Sequence, residues 1–255
     1  MTPDASLAAL SNTLFSVGIG LYSLAVVAFC AQLAFGRRPA RELVAAGNAP
    51  APRPAGEPAP ESEQGRRWGA AALALTVLGS VAHAAVLVTR ALATDRLPWG
   101  NMYEFATATV LVAVVAYVVL AIRSPGLRHI GLFVLAPVVL SLVLIGLYLY
   151  AEAGPLVAAL RSSWLAVHVS TAILGFGVFF VSGIASALYL LRSQYESRAA
   201  DERGTGILAR LPDAAALDRV AHRTAVFGFP IWTFAVIAGA IWAESAWGRF
   251  WGWDP

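Results

Sequence analysis

The chain has 255 residues, of which 58% are hydrophobic and only 13% are charged, and its mean hydropathy is +0.68. Soluble domains carry about 25% charged residues, so the composition excludes an ordinary soluble protein and indicates a bilayer as solvent. The formal net charge is +3. The basic residues cluster in short stretches rather than on one face, which argues against nucleic acid as a partner.

Six segments are apolar enough to cross a membrane, which takes about 20 residues in a helix. They are residues 12–35, 68–92, 104–122, 129–150, 164–191 and 224–243. Backbone groups in hydrocarbon must be hydrogen-bonded within the segment, so each span is predicted to be helical. The predicted fold is therefore all-α, a polytopic membrane protein with six transmembrane helices that contact the lipid bilayer.

Composition divides the chain into two predicted parts. Residues 1–67 hold the first span and a connection rich in proline, alanine and glutamate, which we expect to be a disordered cytoplasmic loop. Residues 68–255 are predicted to form one membrane domain. Before its last span, an amphipathic stretch at 207–222 is expected to lie along the membrane surface as a short helix.

The distribution of arginine predicts the orientation of the spans. Fourteen arginines fall on one side of the predicted topology: Arg37, Arg38, Arg41, Arg53, Arg66, Arg67, Arg123, Arg128, Arg192, Arg198, Arg203, Arg210, Arg219 and Arg223. The other side holds four: Arg90, Arg96, Arg161 and Arg249. The positive-inside rule makes the first side cytoplasmic, so we expect the N-terminus and the C-terminal tryptophans on the outer face.

Four tryptophans crowd the end of the chain, in the segment "WAESAWGRFWGWDP". Tryptophans at span ends commonly form an interfacial belt. The alternative is a platform for a large flat ligand, because the intervening glycines permit close approach of a planar group. The residues concerned are Trp242, Trp247, Trp251 and Trp253, followed by Asp254 as a polar group at the edge.

Histidines within membrane spans are candidate functional residues. His168 lies at the predicted outer end of the fifth span, at the level of the tryptophans, and could be an axial ligand of iron or a histidine satisfied within the bundle. His83, in the second span, is either a core histidine or a ligand. His222, beside two arginines, is expected to have a solvated interfacial role.

The stretch "PWGNMYEF" precedes the third span. Asn101 is expected to cap that helix, and Glu104 to lie where the positive helix end favours an anion. Trp99 in the same stretch suggests a structural role in framing an external site.

Residues 68–255 resemble the haem-handling cytochrome c assembly proteins, which carry a tryptophan-rich "WWD" motif. The resemblance rests on "WGRFWGWDP" (247–255), with "NMYE" (101–104) and "WLAVH" (164–168) pointing to the CcsA/ResC branch, in an alanine-rich, lysine-free version similar to actinobacterial members. The resemblance implies that Trp247, Trp251, Trp253 and Asp254 hold haem b on the outer face and that His168 ligates its iron. Trp242, Trp99 and Glu104 match recurrent positions without an implied contact.

The same resemblance implies a function in c-type cytochrome biogenesis at the plasma membrane. With a ResB/CcsB-type partner, such a protein transports haem outward and presents it to the CxxCH motif of an apocytochrome c, as a component of a holocytochrome c synthase (haem lyase). Full-length relatives continue through two further helices and a second external histidine. We therefore expect this sequence to be C-terminally truncated and inactive alone.

Two alternative functions remain open at the level of the sequence. One is a haem exporter or chaperone of the same superfamily without a synthase role. The other is a structural haem-binding subunit of a respiratory membrane complex, for which His83 and His168 would be the candidate ligand pair.

Overall fold

In the computed structural model, all regular structure in the described residues is helical; these are residues 4–36, 62–156, 160–199, 204 and 206–252. Within these ranges, six helical segments are long and apolar enough to cross a membrane. The predicted all-α polytopic fold is therefore confirmed. The loop predicted to be disordered lies largely outside the described residues.

The first three spans are α1 (Ala5–Phe35), α2 (Glu63–Thr94) and α3 (Met102–Arg123). The fourth combines a 3-10 turn (Pro125–Ile130), α4 (Gly131–Leu144) and a π-helical turn (Ile145–Leu149). The last two spans are α5 (Ser163–Glu196) and α6 (Ala214–Trp247). Apart from the fourth span, each helix is longer than the apolar stretch predicted for it. α1 shares the predicted end at residue 35, and the other four helices extend past both predicted ends. The helices are longer because polar turns and capping residues follow the hydrophobic run.

Side-chain caps fix several of these helix ends. Asp4 accepts hydrogen bonds from the Ser6 hydroxyl and from the backbone N–H groups of Ser6 and Leu7. These hydrogen bonds hold the pKa of the Asp4 carboxyl below its usual value, and the bond from the Ser6 hydroxyl has the largest effect. Asn101 Oδ1 accepts from the backbone N–H of Glu104 at 2.9 Å, which confirms the predicted cap of α3.

The predicted surface helix at 207–222 is wrong. Residues Ile207–Arg210 form a 3-10 turn, and α6 begins at Ala214 and continues without a break to Trp247. Asp213 caps α6, its carboxylate accepting from the backbone N–H of Ala216 at 2.6 Å. No helix-breaking residue separates the amphipathic stretch from the last span, so a single helix forms.

Two antiparallel helix pairs dominate the packing. α1 pairs with α2, and α5 pairs with α6, while α3 and α4 lie between the pairs. The core is built on large side chains of α1, α3 and α4, among them Tyr22, Phe29, Tyr117, Leu135 and Leu142.

The helix ends gather at two ends of the bundle. The end that carries the start of α1, α3 and α5 and the end of α2 and α6 is called here the tryptophan end. The backbone N–H of Asp4 donates to the carbonyl of Ala93 at 3.0 Å, which joins α1 to α2 at this end. The opposite end carries the described members of the fourteen-arginine set.

Candidate functional site

His168 occupies the second turn of α5 and faces α6. Its Nδ1 lies 2.8 Å from the carbonyl oxygen of Ala235. A carbonyl oxygen can only accept a hydrogen bond, so Nδ1 carries the proton and donates. In the neutral imidazole this leaves the lone pair on Nε2. A half-buried ring in this state offers one nitrogen donor to a metal.

Gly239 provides the space for the His168 ring on α6. A Cβ built at position 239 would lie 2.7 Å from both Nδ1 and Cε1 of His168. Non-bonded carbon atoms approach optimally to about 3.5–4.0 Å, so any larger residue at 239 would displace the ring. The contact between α5 and α6 at this level therefore depends on glycine.

Trp242 of α6 lies beside the His168 ring of α5. The two rings are nearly parallel, with an interplanar angle of 7° and centroids 6.4 Å apart. The ring of Trp247 packs against Trp242 edge-on, at 75° and a centroid distance of 6.2 Å. His168, Trp242 and Trp247 thus form one contiguous aromatic cluster at the tryptophan end.

Beyond Trp247 the chain leaves the helix. Gly248 ends α6 in the left-handed region at φ 67°, where its N–H donates to the carbonyl of Glu244 at 2.8 Å. Trp251 follows with 85% of its surface exposed. The structure therefore brings Trp247 to His168 through Trp242, but it does not pack Trp251 there. Trp253 and Asp254 lie outside the described residues.

Along the bundle axis, the aromatic cluster lies further toward the tryptophan end than the first turn of α3 does. The rings of Phe105, in that turn, and Phe176 of α5 are 6.3 Å apart. His168 precedes Phe176 by eight residues, or about 12 Å of helix, toward the tryptophan end. α5 has 34 residues, about 50 Å of helix, against a hydrocarbon core of about 30 Å. This length lets its first turns reach the membrane interface.

A second polar feature at the tryptophan end is a buried ion cluster centred on Glu104. Arg90 Nε donates to one carboxylate oxygen at 3.1 Å, and Arg96 Nη1 donates to the other at 2.7 Å. Glu104 is fully buried and Arg90 is 1% exposed. The Arg90 guanidinium also lies over the ring of Tyr103, 4.7 Å from its centroid.

The same arginines hold the neighbouring loops. Arg90 Nη2 donates to the carbonyl of Ala151 at 2.6 Å, and Arg96 Nε donates to that of Gly154 at 2.9 Å. The backbone N–H of Gly100 donates to Glu104 at 2.8 Å. One carboxylate thus ties the end of α2, the start of α3 and the segment that leads to α5.

Sequence analysis identified Glu104 but missed its arginine partners. Arg90 lies inside the predicted second span, where an unpaired charge is costly. An arginine inside a span needs a partner, and a carboxylate stands at the start of the next span. These two facts together could have indicated the ion pair from the sequence. Trp99 lies half-buried in the turn that this cluster fixes, and its framing role stays a prediction.

His83 lies apart from the aromatic cluster. It is 2% exposed in the contact between α1 and α2, with Nδ1 3.3 Å from the hydroxyl of Tyr22. Its Nε2 is buried and has no hydrogen-bond partner within the described part of the chain. Because His83 belongs to the α1–α2 pair and His168 to the α5–α6 pair, the structure does not bring the two histidines together. His222 is exposed on the first turns of α6, toward the opposite end.

Comparison with known proteins agrees with the motifs at this end. The model of the family described as cytochrome C assembly protein matches residues 99–255. The chain belongs to this family. The match includes the loop of Trp99, the ion cluster's Glu104, His168 and the tryptophan segment.

Curated relatives refine this membership. The cytochrome c biogenesis protein CcsA of Guillardia theta is 32% identical over 202 residues, covering 71% of this chain and 64% of that protein. CcsA of Gloeobacter violaceus (strain ATCC 29082 / PCC 7421) is 29% identical over 239 residues, with coverages of 73% and 68%. CcsA of Synechococcus sp. (strain RCC307) is 37% identical over 122 residues, covering 39% of that protein. This chain thus spans about two thirds or less of the length of these relatives. The similarity confirms the predicted CcsA type.

Proposed function

We propose that this protein binds haem b, as its cargo, at the tryptophan end, with His168 as a ligand of the iron. The observation that carries the proposal is the Nδ1 hydrogen bond from His168 to Ala235, because it leaves Nε2 as the ring nitrogen that can bind a metal. Iron in haem accepts such a nitrogen as an axial ligand. The donor set and the aromatic surroundings both fit this ligand.

The tryptophans supply the apolar surface for the porphyrin. Trp247 is in ring contact with Trp242, and Trp251 is exposed beyond the helix end and available to a ligand. Trp253 and Asp254 follow directly in the sequence. We propose that these four residues enclose the planar ligand once it is bound, since flat aromatic faces pack well on one another.

The family and the names of its CcsA relatives support a role in c-type cytochrome biogenesis. We propose that the protein receives haem within the membrane and presents it to the CxxCH motif of an apocytochrome c, together with a ResB/CcsB-type membrane partner. The proposed site faces the outside of the plasma membrane, because the arginine-rich end is the one expected in the cytoplasm.

The contribution of this chain's residues is positioning. His168 holds the iron of the haem, the tryptophans hold the plane of the porphyrin, and the ion cluster of Glu104 holds the loops around the site. Haem supplies the vinyl groups that react with cysteine thiols. Holding reactants in geometry can lower a barrier by as much as about 7–11 kcal/mol at the limit.

Titration of the purified full chain with hemin in detergent micelles tests the proposal. We expect His168→Ala to abolish the spectrum of histidine-ligated hemin and to weaken hemin binding, and added imidazole to restore the spectrum. His222→Ala is the matched control, an exposed histidine near the other end of the bundle, and should bind hemin as the unaltered protein does. Equal spectra for the His168→Ala and unaltered proteins would refute the ligand assignment.

A further inference from the structure

Two residues of α6 that lie against the His168 ring, Gly239 and Trp242, have no role in the proposed function so far. We propose that they are positioning residues that set the tautomer and the plane of the His168 imidazole. The proposal rests on the proposed function, and it divides the tryptophans into one that orients the iron ligand and others that contact the porphyrin.

The first step concerns the tautomer. The Ala235 carbonyl belongs to the backbone of α6, so its position is fixed by the helix rather than by a mobile side chain. His168 reaches it only because residue 239, one turn further along α6, has no Cβ: that atom would lie 2.7 Å from Nδ1 and from Cε1. Gly239 therefore permits the hydrogen bond that keeps the proton on Nδ1.

The second step concerns the plane of the ring. The lone pair of Nε2 lies in the imidazole plane, so a metal held by Nε2 lies in that plane as well. A planar ligand centred on the metal stands across the metal–nitrogen axis, roughly perpendicular to the imidazole. Trp242 is parallel to the imidazole within 7°. It is therefore also roughly perpendicular to the planar ligand and cannot lie face to face with it.

Trp242 instead lies parallel beside the imidazole, with the two ring centroids 6.4 Å apart, and in this position it limits the rotation of the imidazole. Trp247 is turned by 75° from Trp242, so the same restriction does not apply to it. The geometry thus gives Trp242 the orienting role and leaves Trp247 to pack on the ligand. This division sets Trp242 apart from the platform that is one of the two alternatives for the four tryptophans.

The same observations predict a graded response to substitution. Groups that orient a ligating histidine typically change metal affinity by about 10- to 100-fold when altered. We expect Gly239→Ala and Trp242→Leu to weaken hemin binding within this range. Trp242→Phe keeps a flat ring against the imidazole and should retain most of the affinity. Gly183→Ala, in α5 with open space around the added methyl group, is the control and should be unchanged.

A measurement without hemin separates an effect on the orientation of His168 from a general loss of folded structure. The ring nitrogens of the full chain, labelled with ¹⁵N-histidine in lipid nanodiscs, report the tautomer of each histidine by NMR, and His168→Gln identifies the resonance of interest. We expect His168 in the unaltered protein to be protonated at Nδ1 alone. Gly239→Ala should shift it toward a mixture of tautomers, and Trp242→Leu should broaden the signal while Trp242→Phe does not.

The outcomes distinguish the two proposals. If His168→Ala binds hemin as the unaltered protein does, the proposed function fails at its ligand. If His168→Ala loses hemin but Gly239→Ala and Trp242→Leu keep the original affinity and tautomer, the positioning inference alone is overturned. Should Gly239→Ala not fold, the comparison of Trp242→Leu with Trp242→Phe decides the question, because equal affinities and equal NMR signals would overturn the inference.

Discussion

Arg90 and Glu104 form a buried ion pair at the tryptophan end, with Arg90 Nε 3.1 Å from Glu104 Oε1 and the side chains 1% and 0% exposed. The pair joins the last turns of α2 to the first turn of α3. Because Arg96 contacts the same carboxylate, one buried acidic group pairs with two guanidinium groups. The stability of this end therefore depends strongly on Glu104.

Glu104→Gln tests that dependence. The substitution leaves two arginines without a counter-charge, and breaking a buried pair costs about 3–5 kcal/mol. We expect the free energy of unfolding to fall by this amount, measured by denaturation in mixed micelles with tryptophan fluorescence. Glu63→Gln is the control, because Glu63 pairs with Arg67 at an exposed position, with 65% and 79% of the two side chains accessible, and such pairs contribute about 0–1 kcal/mol. Equal losses in both variants would contradict the assigned role.

Gly248→Ala probes the end of α6. A residue with a Cβ is strained at φ 67°, so we expect the substitution to lower the free energy of unfolding by about 1–2 kcal/mol. It should also loosen the position of Trp251, which follows the turn. Gly183→Ala should have the opposite sign in the same assay, because alanine is favoured over glycine inside a helix by about 1 kcal/mol. A stabilising effect at position 248 would argue against this turn.

His83 is expected to stabilise the α1–α2 contact and not to bind haem. A double-mutant cycle with His83→Leu and Tyr22→Phe should give a coupling energy of about 0.5–3 kcal/mol, because the two side chains are in contact. Hemin binding by His83→Leu should match that of the unaltered protein. A loss of hemin as large as that of His168→Ala would revive the alternative in which the two histidines act as a ligand pair.

Cysteine labelling in intact cells tests the proposed orientation. Cys30 is exposed, so it is first replaced by alanine. Leu97→Cys, at a side chain 52% exposed at the tryptophan end, should react with a membrane-impermeant maleimide added outside. Ala199→Cys, exposed at the opposite end, should react only after the membrane is permeabilised. The reverse pattern would place the tryptophan end in the cytoplasm.

The helical spans could be predicted from the sequence because a bilayer imposes a length of about 20 apolar residues on any helix that crosses it. The cap at Asn101 could be predicted for a similar reason, since capping depends on residues a few positions apart. The error at 207–222 has the same origin: amphipathic composition indicated a helix, but it could not show that the helix continues into the following span.

The contacts at the candidate site depend on the tertiary structure. His168 and Ala235 are 67 residues apart in the chain, and the pairing of Arg90 with Ala151 spans 61 residues. These pairings follow from which helices are neighbours and how each is rotated about its axis. In a lipid-facing bundle nearly every side of a helix is apolar, so hydropathy does not mark the packed side.

The sequence by itself thus determined the number of spans, the grouping of tryptophans with His168 at one end, and the family. Only the tertiary structure decided that the Ala235 carbonyl holds Nδ1, that Gly239 provides the space, and that Trp242 lies parallel to the imidazole rather than open to a ligand. The physical reason is that composition and length act locally along the chain, whereas the state of a single imidazole is set by atoms of another helix.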